Sequence, residues 1–136
     1  MRDPVTRRAL GWLVLAAALA GCAAAPVRPP GADLVRTELI FGRARPDGST
    51  VTEAQWRAFV DEHLAPRFAG FTVYPVTGQY RNQAGQLARE DSYLVLLLHE
   101  PDAKSQAAIE EIRAIYKRLF DQESVPLVSV PARVSF

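Results

Sequence analysis

Tyr93-Leu94-Val95-Leu96-Leu97-Leu98 is the stretch on which the fold turns. It is the apolar heart of a strand read over Leu87 to His99, and it leaves neither face polar. A strand that is apolar on both faces needs cover on both sides. The chain around it supplies the rest of a sheet. Phe71 to Arg81 reads as a preceding strand, interrupted by Pro75, and Asn82-Gln83-Ala84-Gly85 as the hairpin loop between the two. Pro101-Asp102 then opens a helix with Asp102 as N-cap. Ala108, Ile109, Ile112, Ile115, Tyr116, Leu119 and Phe120 form its apolar stripe, and Lys117 and Arg118 suit the negative end of its dipole. Ser124 to Phe136, with Pro126 and Pro131, reads as a last strand.

Upstream, Val35, Thr37, Leu39 and Phe41 alternate with Arg36, Glu38 and Ile40, the period of a strand starting at Leu34 and ending at Gly42. Pro46-Asp47-Gly48 has the chemistry of a turn. Thr52-Glu53-Ala54-Gln55 fits a capping box, Trp56, Phe59, Val60 and Leu64 follow at helical spacing, and Pro66 stops the helix. Trp56 and Phe59 are expected to pack on Val95 or Leu97 and on Ile112 and Tyr116.

The order is β-α-β-β-α-β, an α+β ferredoxin-like sandwich with a four-stranded antiparallel sheet and two helices on one face. Proline placement supports this independently. Proline cannot donate to a ladder and is confined to edges and bulges. The second and fourth strands carry the prolines, and those are the edges of this topology. Pro126 and Pro131 have opposite parity, so either the last strand starts after Pro126 or a bulge resets it.

The N-terminal segment has a different character. Arg2, Arg7 and Arg8 precede an apolar run from Ala9 to Leu19, the layout of a secretory signal and too short to span a bilayer. Leu19-Ala20-Gly21-Cys22 resembles the lipobox of bacterial lipoproteins. The resemblance implies cleavage before Cys22, diacylglycerol on its sulfur and acylation of the new amine. Ala23 in place of Asp resembles lipoproteins sorted to the outer membrane, facing the periplasm. Thr6-Arg7-Arg8 also resembles a twin-arginine signal, so the export route stays open between that and the general pathway. The expected organisation is a signal over 1–21, a Pro/Ala-rich tether over 22–33 and one domain over 34–136.

The chain has 136 residues with 16 Lys+Arg and 15 Asp+Glu, and loss of the signal leaves 13 basic against 14 acidic residues. That balance offers no basic surface for nucleic acid. With Cys22 lipidated no cysteine is left for a disulfide, so the domain must rest on its core.

A second resemblance is collective. Arg36 to Gly42, Pro46-Asp47-Gly48, Gly78-Gln79-Tyr80, Glu90-x-Ser92 and Phe120-x-Gln122-Glu123-Ser124-Val125 together are similar to a bacterial family catalogued as domain of unknown function 3574. The resemblance implies export and frequent lipidation. It brings no activity, cofactor or catalytic residue.

The residues themselves point to no catalytic set, metal site or cofactor. There is no paired-cysteine motif, Gly-rich phosphate loop or Ser-His-Asp order, and His99-Glu100 point to opposite faces of a strand. Arg36, Glu38, Tyr80, Arg81, Glu90 and His99 are the candidate binding residues, as a polar group on the open sheet face. Their bland reading is a set of cross-strand ion pairs; Gln122, Glu123 and Ser124 read as a turn. The expected function is a non-enzymatic, membrane-tethered binding or interaction module. The alternative is a small periplasmic enzyme using the polar cluster with His99. The apolar outer side of the third strand, with Ile40, calls for cover. A second copy is the first choice, with Arg36 and Glu38 near the rim of a homodimer interface; the chain's own tether or C-terminal segment comes next, then a partner protein.

Overall fold

A computed structural model describes residues 29–81 and 84–136. The lipobox, the signal and most of the tether, like Asn82-Gln83 of the hairpin, lie outside the described residues. The elements are β1 (Ala32–Gly42), α1 (Glu53–Phe59), β2 (Phe71–Arg81), β3 (Leu87–His99), α2 (Ala103–Phe120) and β4 (Leu127–Val134). The strands form one antiparallel sheet in the order β2-β3-β1-β4, the ferredoxin-like arrangement read from the sequence. No helix among the described residues is long and apolar enough to cross a membrane.

Local chemistry places the helix starts. Thr52 caps α1 by a reciprocal pair: its hydroxyl accepts from Gln55 N at 3.2 Å, and Gln55 Oε1 accepts from Thr52 N at 2.9 Å. Asp102 caps α2 through Ser105 N at 2.7 Å. α1 is short and continues as a π-helical turn over Val60–Leu64, with Ala65 N donating to Val60 O. α2 ends at Asp121, which takes a left-handed conformation (φ 53°).

Alternation along the strands separates two faces. Thr37, Leu39 and Phe41 of β1 and Tyr93, Val95 and Leu97 of β3 point to the helices and are buried. Phe41, Trp56, Phe59, Tyr116 and Phe120 interlock there as edge-on and tilted rings, with Ile109 and Ile112 between them. Trp56 meets Tyr116 edge-on, as expected, and stacks more closely on Tyr93, two residues along β3 from Val95. Leu119 also departs from the expected stripe. It is 51% exposed, because α2's buried arc closes with Tyr116 and Phe120.

The edges hold the prolines. β2 and β4 each have one neighbour, and Pro75 and Pro131 lie on them. β4 begins at Leu127, after Pro126, which resolves the parity conflict without a bulge. β1 begins at Ala32, paired with Val134, so Ala32 and Asp33 belong to the sheet and not to the tether. Backbone pairing with β4 is what extends the strand beyond the alternation visible in the sequence.

Candidate binding cleft at the end of the sheet

The sheet face away from the helices carries a depression at one end. On that face Glu90 of β3 is paired with Gly78 of β2, and Ser92 of β3 with Gly42 of β1. Two neighbouring positions thus lack side chains. The segment after β1 and the turn between α2 and β4 wall the space, giving a cleft of about 620 Å³. Its lining includes Ile40, Arg45, Pro46, Tyr80, Asp121, Gln122, Glu123, Ser124 and Pro126 besides the four floor residues.

Gly42 leaves room for two flexible side-chain ends. A Cβ there would collide with the Glu90 carboxylate and lie 3.0 Å from Gln122 Oε1. At Gly78 a Cβ would meet nothing within 4 Å, so that position shapes the cleft by leaving it open.

Glu90 Oε1 accepts from Ala44 N at 3.2 Å. Gln122 Nε2 donates to Ala44 O at 2.7 Å and to Phe120 O at 3.3 Å, so the amide presents its carbonyl oxygen. Beneath the floor the buried Tyr116 hydroxyl donates to Gly42 O at 2.8 Å, and burial pushes its pKa far above the ordinary tyrosine range. Ile40 N donates to Pro126 O, tying the wall to β1.

Two polar groups are left over. Ser92 is only 7% exposed as a residue, and its hydroxyl, which no described side chain bonds, faces the cleft. Arg45 lies with its guanidinium 5.2 Å from the Phe120 ring centroid, and its buried Nε has no partner among the described residues. A buried polar group without a partner, as Arg45 Nε is, costs about 1–3 kcal/mol and calls for an explanation.

The expected site residues divide. Tyr80 and Glu90 line the cleft. Arg81, next to Tyr80, instead donates to Gly85 O at 3.0 Å within the hairpin. Arg36 and Glu38 do not join them. They bond each other, Arg36 Nε to Glu38 Oε1 at 3.1 Å, in the middle of the open face and not at its rim. The reason is topological: β1 has a neighbour on each side. His99 points to the helix side. Its Nδ1 donates to Glu100 O at 2.8 Å; in the neutral ring Nε2 then accepts from the Thr37 hydroxyl at 2.9 Å, which accepts from Ser129 at 2.7 Å. This satisfied network joins β3, β1 and β4. His63 lines a separate groove of about 350 Å³ with Arg45, Leu119 and Phe120. Among the described residues no three His, Cys, Asp or Glu side chains are grouped as metal ligands.

The cleft residues not singled out as binding are Arg45, Asp121, Gln122, Glu123 and the two glycines. For the glycines, Gln122 and Glu123 the signal lay in the family resemblance, whereas Arg45 and Asp121 are not among its residues; comparison decides the family. The model of a family described as protein of unknown function, DUF3574, matches residues 36–136. The chain belongs to that family. In this DUF3574 domain each of the five stretches that carry the resemblance places a residue in the cleft: Gly42, Pro46, Gly78 with Tyr80, Glu90 with Ser92, and Gln122 to Ser124.

No curated protein matches the chain in sequence. Among solved structures the DUF3574 domain is similar to a phage SAM lyase in complex with S-methyl-5'-thioadenosine, at 15% identity and a TM-score of 0.57, over 82% of this chain and 97% of that one. It is also similar to CutA from Synechococcus elongatus, at 14% identity and a TM-score of 0.50, over 77% and 81%. At these identities the likeness is one of fold.

Proposed function

We propose that this protein is an envelope lipoprotein, acylated at Cys22 and held at the outer membrane, whose domain is a non-enzymatic module that binds a small polar ligand in the cleft. The observation that carries the reading is the cleft itself, to which five separated stretches contribute and on whose floor the 7%-exposed Ser92 stands. A serine nucleophile needs a base within reach. Neither His63 nor His99 lines this cleft, and Glu90, the acidic neighbour of Ser92 on its floor, is held at Oε1 by Ala44 N.

The tether supports the arrangement. It enters β1 at Ala32, and Gly42 of the cleft is at the other end, about 33 Å away at 3.3 Å per residue. A domain held by its N-terminus turns the cleft away from the lipid. Three acyl chains exceed the two membrane signals that suffice for stable anchoring.

Small polar probes (amines, amino acids, sugars and carboxylates), titrated against the full chain in micelles by ligand-observed NMR, test the module. A wild-type signal abolished by Gly78→Phe, which fills the open side of the cleft, is expected. Absence of any signal, or a signal that Gly78→Phe leaves intact, overturns the cleft reading. Turnover of a probe that Ser92→Ala abolishes would make the protein an enzyme instead.

The same face supports a homodimer beside the cleft, with Ile40 at the border of the two. Tyr74, Leu98, Val128 and Val130 are 39–54% exposed there, around half-buried Ile40, Leu94 and Leu96. Within this patch the Arg36–Glu38 pair is self-complementary: a two-fold axis on β1 sets each copy's Arg36 against the other's Glu38. Four strands about 4.8 Å apart and about eight residues long project roughly 500 Å², against about 800 Å² of accessible surface per partner in a standard interface. Native mass spectrometry of the full chain released from micelles should show a dimer, and Val130→Asp a monomer. A wild-type monomer overturns the pairing.

A further inference from the structure

We infer that the ligand taken by the cleft is a small organic cation, a primary amine or guanidinium compound; the inference rests on the cleft reading above and adds its chemistry. The charged groups on the lining are Glu90, Asp121 and Glu123 against Arg45 alone. The hydrogen-bonding inventory points the same way, independently of charge. Both donors of the Gln122 amide are spent on backbone carbonyls, so it offers only an acceptor. Of the two Glu90 oxygens, Oε1 is used by Ala44 N and Oε2 remains. A wall of carboxylate and amide oxygens wants N–H donors, and an ammonium or guanidinium brings three to five of them with the matching charge.

Ser92 is the second observation: the residue is 7% exposed, lines the cleft, and no described side chain bonds its hydroxyl. It stands on the floor beside Glu90, where it can accept one N–H or donate to a ligand oxygen. The carboxylates do not form a metal set among the described residues; they are spread from the floor at Glu90 to the wall at Asp121 and Glu123, as suits an extended organic cation. Exposed Tyr80 adds an aromatic face at the mouth, worth about 0.5–1 kcal/mol to a cation at an exposed site. Arg45 offsets one carboxylate and stays parked over Phe120.

The test is calorimetric titration of the full chain in micelles with agmatine and n-butylamine, against glycerol and butyrate as neutral and anionic probes of similar size. The amines should bind, and both Glu90→Gln and Ser92→Ala should weaken them, Glu90→Gln by about tenfold, the scale of one charge-assisted hydrogen bond. Gly78→Phe should abolish binding while leaving the circular dichroism and melting temperature of the chain in place. Glycerol or butyrate binding that Gly78→Phe removes would overturn the cation and keep the cleft. No binding by any probe would overturn both. Amine binding indifferent to Gly78→Phe and Glu90→Gln would be attraction to surface charge, and would overturn the cation site.

Discussion

The Trp56 indole lies flat on the Tyr93 ring, with centroids 4.3 Å apart and planes 14° apart. This contact joins α1 to β3 across the core, and Phe41, Phe59 and Tyr116 close round its far side. Trp56→Ala should therefore cost about 3–5 kcal/mol, the scale of a large-to-small change in a packed core. Urea unfolding of the full chain measures it. An unchanged midpoint would show that the stack carries no weight.

Tyr93 also fastens the start of α1. Its hydroxyl donates to Glu53 Oε2 at 2.5 Å. That bond, aided by Arg57, holds the Glu53 carboxyl below its usual range, and the same bond holds the Tyr93 phenol above its own. The unfolded chain then takes up the Glu53 proton more readily than the native one. Stability from Glu53 is present above the ordinary glutamate pKa, near pH 4.3, and is lost as the pH falls below it. Melting temperatures from pH 6 to pH 3 should fall less steeply for Glu53→Gln than for wild type; parallel curves would refute the linkage.

The two cleft glycines should respond differently. Gly42→Ala pushes aside the Glu90 carboxylate, the end of a flexible side chain, and should cost about 0.5–1.5 kcal/mol, the scale of its lost bond from Ala44 N. Gly78→Ala meets open space and removes backbone freedom from a strand, so it should be neutral or stabilising by about 0.5–1 kcal/mol. Thermal unfolding of the two variants side by side decides it, and equal losses would mean that the cleft floor is wrongly placed.

Cys22→Ser tests the anchor. The wild-type chain should incorporate radioactive palmitate and fractionate with the outer membrane, whereas the variant should be released or remain uncleaved. Label on Cys22→Ser would end the lipoprotein reading, and wild type recovered mainly in the inner membrane would refute the sorting.

The sequence by itself determined the elements and their order. Alternation from Val35 to Phe41, the Thr52–Gln55 capping box, the Asp102 cap and the confinement of Pro75 and Pro131 to edges are all local chemistry, and local chemistry survives in a linear reading. Tyr80 and Glu90 were legible as polar residues near strand ends on one face. Only the tertiary structure decided what stands beside what. Register between β1, β2 and β3 sets Gly42 and Gly78 on either side of Ser92 and Glu90, and so makes a cleft where a list of residues shows a turn and two glycines. The same pairing centres Arg36 and Glu38 on the open face, and turns His99 away from them into a bond with Thr37. A shift of one residue would move every side chain of a strand to the other face. That choice is made by packing across the whole sheet, between residues as distant in the chain as Gly42 and Gln122, and no local pattern records it.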